Sequence, residues 1–181
     1  MLKWLIGRRI AAFERVYGYD TSYVRDMLDA DPRAVLALGG IDRMARYRRD
    51  VPKEAWYAAK LVAVLAEDCG PCTQLVVTMA ERAGVPSAVL RAIIARDEVA
   101  MNADVALAFR FAEAVVARDA RMDERREAVV ERWGECGLIS LTFAIMASRF
   151  YPALKYALGH GQSCMRVTIG GEVAPVLRRA A

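Results

Sequence analysis

One histidine, His160, and four cysteines in 181 residues leave few ligands for a metal centre. Zinc takes four protein ligands in structural sites and three plus water in catalytic ones. Cys136, Cys164 and His160 are single residues without a paired spacing like that of Cys69 and Cys72, so no metal or other cofactor is expected. Six prolines and 12 glycines, beside 56% hydrophobic and 27% charged residues, exclude disordered, collagenous and low-complexity chains. The longest uncharged run, from Cys136 to Ser148, has 13 residues, short of the roughly 20 that cross a bilayer. No transmembrane segment is expected. Charge is nearly balanced, 26 Lys and Arg against 22 Asp and Glu for a net +4, too small a surplus to point to nucleic acid. Arg8 and Arg9 interrupt the apolar start Trp4-Leu5-Ile6 before a secretory leader can form. A cytoplasmic, reducing setting is the expectation.

What is present is helical periodicity. Leu2, Leu5, Ile6, Ile10, Phe13, Val16 and Tyr17 recur at steps of three and four. Asp20 is placed to cap a second helix, and Asp31 before Pro32 to open a third that Gly39-Gly40 interrupts. Pro52 opens a fourth segment whose Trp56, Leu61, Val64 and Leu65 can face inward. Another helix starts near Cys69 and ends at Gly84, and Pro86 restarts the chain. Asn102 can cap an Ala-rich helix over 103–118 carrying Val105, Phe109, Ala112 and Val116 on one stripe. Asp123 starts a run to Trp133, and a long helix follows Gly134, with Pro152 expected to kink it. Only Val167–Ile169 has strand character. These signals predict an all-α fold and one domain over 1–181. Residues 1–50 form an N-terminal helical extension, 51–165 the core, and 166–181 an exposed tail that Gly170-Gly171 can turn into a very short hairpin.

The sharpest chemical signal is Cys69-Gly70-Pro71-Cys72. Two intervening residues at a helix start hold two sulfurs close enough for a disulfide to form and break reversibly. Exposed N–H groups at a helix N-terminus favour a thiolate, whereas the neighbouring Glu67 and Asp68 disfavour a second anion. The same four letters occur in thioredoxin, where they follow a strand, and here a helical, Ala-rich segment precedes them.

An all-α chain with this pair at a helix start resembles the alkylhydroperoxidase D-like and carboxymuconolactone decarboxylase-like family. The resemblance runs from Pro52 through Trp56-Tyr57, Glu67-Asp68-Cys69-Gly70-Pro71-Cys72-Thr73-Gln74-Leu75 and Ala83-Gly84-Val85. It continues into Phe150-Tyr151-Pro152-Ala153-Leu154-Lys155-Tyr156-Ala157-Leu158-Gly159. It implies a helical bundle of that type, assembly into homo-oligomers, and an antioxidant thiol peroxidase that reduces hydroperoxides with an external dithiol reductant. In that pattern Cys72 attacks and becomes a sulfenic acid, and Cys69 protonates the leaving group and resolves the intermediate. Thioredoxin-like logic reverses the two roles. The family's peroxidase members carry a Glu twelve residues before the first Cys and a His four after the second, where this chain has Tyr57 and Val76. Glu67 and Asp68 then become the candidate activating groups, with Tyr57 a weaker donor. His160, in Gly159-His160-Gly161-Gln162, is a further candidate if its loop approaches the pair. The resulting expectation is a thiol-disulfide oxidoreductase acting on a peroxide or disulfide substrate. The alternative is a non-enzymatic redox sensor or partner-binding protein of the same fold, with residues 1–50 as its docking surface.

Other features have plainer readings. Arg43, Arg46, Arg48 and Arg49 around Tyr47 fit a solvated helix end. Cys136 and Cys164 are expected to be inert.

Overall fold

Local capping chemistry sets most of the helix boundaries. The computed structural model describes residues 1–162 and 166–176. Helix α1 (Leu2–Tyr17) stops at Gly18, whose left-handed φ of 59° lets its N–H reach back to the Glu14 carbonyl. Helix α2 (Ser22–Ala30) has Thr21 rather than Asp20 at its cap position, but the Asp20 carboxylate accepts from the Ser22 N–H at 2.8 Å. Asp31 accepts from the Arg33 N–H and Pro32 fills the first position of α3 (Pro32–Ala37), as the sequence predicts. The short α4 (Gly39–Arg46) begins at the glycine pair. Together α1 to α4 form the N-terminal extension, with α1 packed on α2, α3 and α6, and α4 on the last helix. Glu14 ties α1 to α2: it accepts from Arg25 and from the Thr21 hydroxyl, and these donors, Arg25 first, pull its carboxyl down to about 2.

The centre of the molecule is α5 (Lys53–Ala66), buried nearly all round. Ala55, Ala58, Ala59 and Ala63 keep its surface narrow, which lets α6 (Gly70–Arg82), α7 (Ser87–Ile94), α8 (Ala103–Ala117) and α9 (Met122–Ala157) pack against it. Lys60 is buried on α5, donates to the Ala45 carbonyl at 3.0 Å and lies 4.2 Å from the Trp56 ring centre. Burial lowers its ammonium to about 8. The basic segment after α4 braces the turn into α5. Arg48 donates to the Val51 carbonyl, the Arg49 N–H to Ser140 Oγ on α9, and Trp56 Nε1 to the Tyr47 carbonyl.

Gly84 (φ 77°) and the Asn102 cap on the Val105 N–H stand where the sequence puts them. Helix α9 breaks at Gly134 (φ 66°, ψ −177°), a conformation that favours glycine, and then runs on through Pro152 with helical backbone. The break at Gly134 stands where the sequence separates the run to Trp133 from the long helix after it.

Residues 166–176 correct the expectation of an exposed tail. Arg166–Ile169 (β1) and Glu172–Pro175 (β2) pair antiparallel around Gly170-Gly171, both at positive φ. Val167 and Ile169 are buried against α6 and α7. Gln74 bonds Thr168 through both its amide atoms, and Glu81 accepts from the Gly170 N–H at 2.6 Å. Four residues with two inward side chains are too short for a clear alternating signal, yet they bury well on a preformed helical surface. The rest of the tail, 177–181, and Cys164 lie outside the described residues. The described chain is therefore mostly helical with a single two-stranded hairpin.

Candidate functional site

Cys69 occupies the cap position of α6 and Pro71 its second helical position, so the chain turns from extended to helical between the two sulfurs. Cys72 comes round under Cys69, and the two are joined as a disulfide with their Cα atoms 5.3 Å apart. Both are buried, Cys69 completely and Cys72 at 4% exposure. One first-turn donor of α6, the Gly70 N–H, is taken by the Gln162 carbonyl at 3.0 Å. On the other side the Tyr156 hydroxyl donates to the Asp68 carbonyl at 2.8 Å, holding a residue of positive φ (48°) just before the pair. The end of α9 and the loop after it therefore grip the segment that carries the cysteines.

A hydroxyl within hydrogen-bonding reach of a sulfur comes from the N-terminal extension. Tyr19, in the turn between α1 and α2, places its hydroxyl 3.6 Å from Cys72 Sγ. A disulfide sulfur has no proton, so the hydroxyl donates toward it. Tyr19 is itself buried, and burial raises its phenol far above the ordinary range, with Tyr23 adding to the effect. It stays a neutral donor. Lys155, 2% exposed, rests its ammonium 5.1 Å from the Tyr19 ring centre and 5.4 Å from that of Tyr23. Burial pushes the Lys155 ammonium down and Asp20 opposes that shift. A hydroxyl that can donate to the Cys72 sulfur favours negative charge developing there once the disulfide is reduced.

Scans against protein-family models, curated proteins and solved structures gave no match. The chemistry of the site therefore rests on its own geometry.

The predicted site residues are distributed unevenly around the pair. Glu67 is joined to Arg149 of α9 by an ion pair, and a shallow open depression beside it is lined by Met146, Arg149, Phe150 and Ala153. The Tyr57 hydroxyl donates to the Met79 carbonyl at 3.2 Å. Met79 lies seven residues beyond Cys72, roughly 10 Å along α6, so the structure does not bring Tyr57 to the cysteines. Val76 is in the core. The loop of His160 does reach the pair, through Gln162, but the ring is turned to α2: Nδ1 is 3.1 Å from Ser22 Oγ and Nε2 is 3.1 Å from an Asp26 carboxylate oxygen. His160 thereby latches the extension over the disulfide. Among the described residues no group of three metal-ligating side chains is found, and Cys136 is a free, exposed thiol.

Sequence reasoning missed Tyr19, Lys155 and Arg149. Tyr19 reads only as part of the turn Tyr17-Gly18-Tyr19-Asp20, and Lys155 as an ordinary helix-end cation.

The latch makes a measurable expectation. His160→Ala removes the bond to Ser22 Oγ, and a net hydrogen bond of about 1 kcal/mol corresponds to a roughly fivefold shift in local opening. The disulfide should then be reduced by excess dithiothreitol about five times faster, followed by acid quench and intact mass. An unchanged rate would mean that opening of the cover does not pass through this contact.

Proposed function

We propose that this chain is a thiol-disulfide oxidoreductase that reduces small hydroperoxides through Cys69 and Cys72, with an external dithiol as reductant. The observation that carries the reading is the bonded pair at the start of α6 with a neutral hydroxyl donor, Tyr19, against Cys72 Sγ. The resemblance of residues 52–159 to the alkylhydroperoxidase D-like family supports the same chemistry, a bundle of that type, homo-oligomeric assembly and a reducing cytoplasmic setting. In the reduced chain Cys72 is the thiolate. It attacks one peroxide oxygen, an S–O bond forms as the O–O bond breaks, and the departing alkoxide takes the Cys69 thiol proton to leave as alcohol. The Cys69 thiolate then attacks the Cys72 sulfur, expelling hydroxide, which is protonated to water. The dithiol restores both thiols by exchange. Tyr19 takes the place of the family's Glu and His by donating to the Cys72 thiolate.

A second reading has its own observation in favour. Cys69 is fully buried beneath a latched extension, an arrangement suited to a redox switch whose oxidation state changes how residues 1–50 sit. One assay separates the two: hydroperoxide-dependent consumption of dithiothreitol by the intact chain. Turnover above a buffer blank supports the peroxidase. No turnover, together with a reversible Cys69–Cys72 couple in glutathione buffers, would transfer the proposal to the switch.

A further inference from the structure

The uncharged run from Cys136 to Ser148 lies on α9, and it is uncharged on every face of the helix. A helix with no charge on any face is usually covered on most of them. In this chain only one side is covered. Gly137, Ser140, Leu141, Ala144, Ile145 and Ser148 are buried, on a helix packed against α4, α5 and α8. The other side leaves Ile139 at 41% and Met146 at 38% exposure, with Cys136 and Ala153 also exposed and Phe143 and Phe150 half-buried.

Those six residues follow one another at steps of three, four, three, four and three. That spacing is the seam of a two-helix coiled coil, whose knobs repeat every 3.5 residues. The charges at the ends of the run determine what fits. Glu135 precedes the uncharged stretch and Arg149 follows it, both beside the seam. In an antiparallel pair of identical helices crossing near residue 141, Ile139 meets Phe143 of the second copy and Cys136 meets its Met146. Glu135 then lies within about 3 Å along the axis of Arg149 of the second copy at both ends. A parallel pair sets like against like. Glu135 makes no ion pair within the described residues, whereas Arg149 already holds Glu67 with one edge of a guanidinium that has five donors.

We infer that the exposed face of α9 between Glu135 and Arg149 is a self-association surface on which a second copy of this chain packs antiparallel. Fifteen residues give a contact roughly 22 Å long, and the depression lined by Glu67, Met146, Arg149, Phe150 and Ala153 adjoins it at one end. The inference needs no redox chemistry and gives the homo-oligomeric assembly proposed above a surface of its own. A bilayer is the competing occupant by composition, since an 18-residue window of α9 has a mean hydropathy of 1.3. The argument against it is that 44% of that window is buried within the chain itself, and that the end charges complement each other across a two-fold axis.

Sedimentation velocity on the full chain under reducing conditions, from 1 to 100 μM, tests this. The expected species is twice the 20.0 kDa chain. Ile139→Glu and Met146→Glu should each return it to a monomer without change in circular dichroism, because both positions are already partly in water. The register is read in a Cys164→Ser background with diamide. Met146→Cys should give a covalent dimer through Cys136, whereas Cys136 alone should give none, as the two copies hold it about 15 Å apart along the axis. A monomer throughout, a dimer that survives both glutamates, a Cys136–Cys136 link, or flotation with phosphatidylcholine vesicles would each overturn the inference.

Discussion

Cys72→Ser is expected to bring hydroperoxide turnover down to the buffer blank, a loss of at least about a hundredfold. The thiolate is the nucleophile in this chemistry, and a serine hydroxyl at the same place is not ionised near neutral pH. The more informative companion is Tyr19→Phe, which keeps the ring beside Lys155 and removes only the hydroxyl 3.6 Å from Cys72 Sγ. A hydrogen bond to a charged group contributes about 1.5–3 kcal/mol, so losing the donor should raise the Cys72 thiol pKa by roughly one to two units. The sign follows from which form the bond favours. The hydroxyl stabilises the thiolate, and without it a smaller fraction is ionised at neutral pH. Turnover at pH 7 should fall about tenfold and recover as pH rises. Alkylation of the reduced chain by iodoacetamide as a function of pH measures the shift directly. A pKa that does not move would remove Tyr19 from the mechanism and leave it as packing.

The largest expected loss of stability is at Phe109, 1% exposed on α8. Truncating a buried Phe to Ala costs about 3–5 kcal/mol, depending on how far the site collapses. Here it collapses poorly. The helices around it are lined with Ala55, Ala58, Ala59 and Ala63 on α5 and Ala106, Ala108 and Ala112 on α8, and an alanine has no rotamer with which to fill a hole. Phe109→Ala therefore belongs in the upper half of that range. For a chain of this length each kcal/mol lowers the melting temperature by about 2–4 °C, so a drop on the order of 8–20 °C is expected by differential scanning calorimetry. A drop below about 3 °C would mean that the bundle relaxes into the cavity.

Helix boundaries set by local chemistry were legible in the sequence. Asp31 with Pro32, Pro52, Gly84, Asn102 and Gly134 each act within a few residues of themselves, and each stands where the pattern puts it. The cysteine pair was legible for the same reason. The surroundings of the pair were not, because they are made by contacts over long sequence separations. Tyr19 meets Cys72 across 53 residues and Arg149 meets Glu67 across 82. Nothing in the spacing of a lone Tyr in a turn says which helix terminus it will cover. Tyr57 shows the reverse case: the family resemblance singles out its position, but its hydroxyl is spent on the Met79 carbonyl. The hairpin turn is legible at Gly170-Gly171, but its burial is not, because Val167 and Ile169 gain their environment from α6 and α7 rather than from their own sequence.

The bond between Ser22 and His160 spans 138 residues, while Cys69 and Cys72 are three apart. The two parts of the site therefore mature at different times as the chain emerges from the ribosome. The sulfurs can meet as soon as the first turn of α6 forms, but the latch over them waits until residue 160 has been synthesised. A nascent chain thus passes through an interval in which the pair has formed and His160 has not yet arrived to close over it.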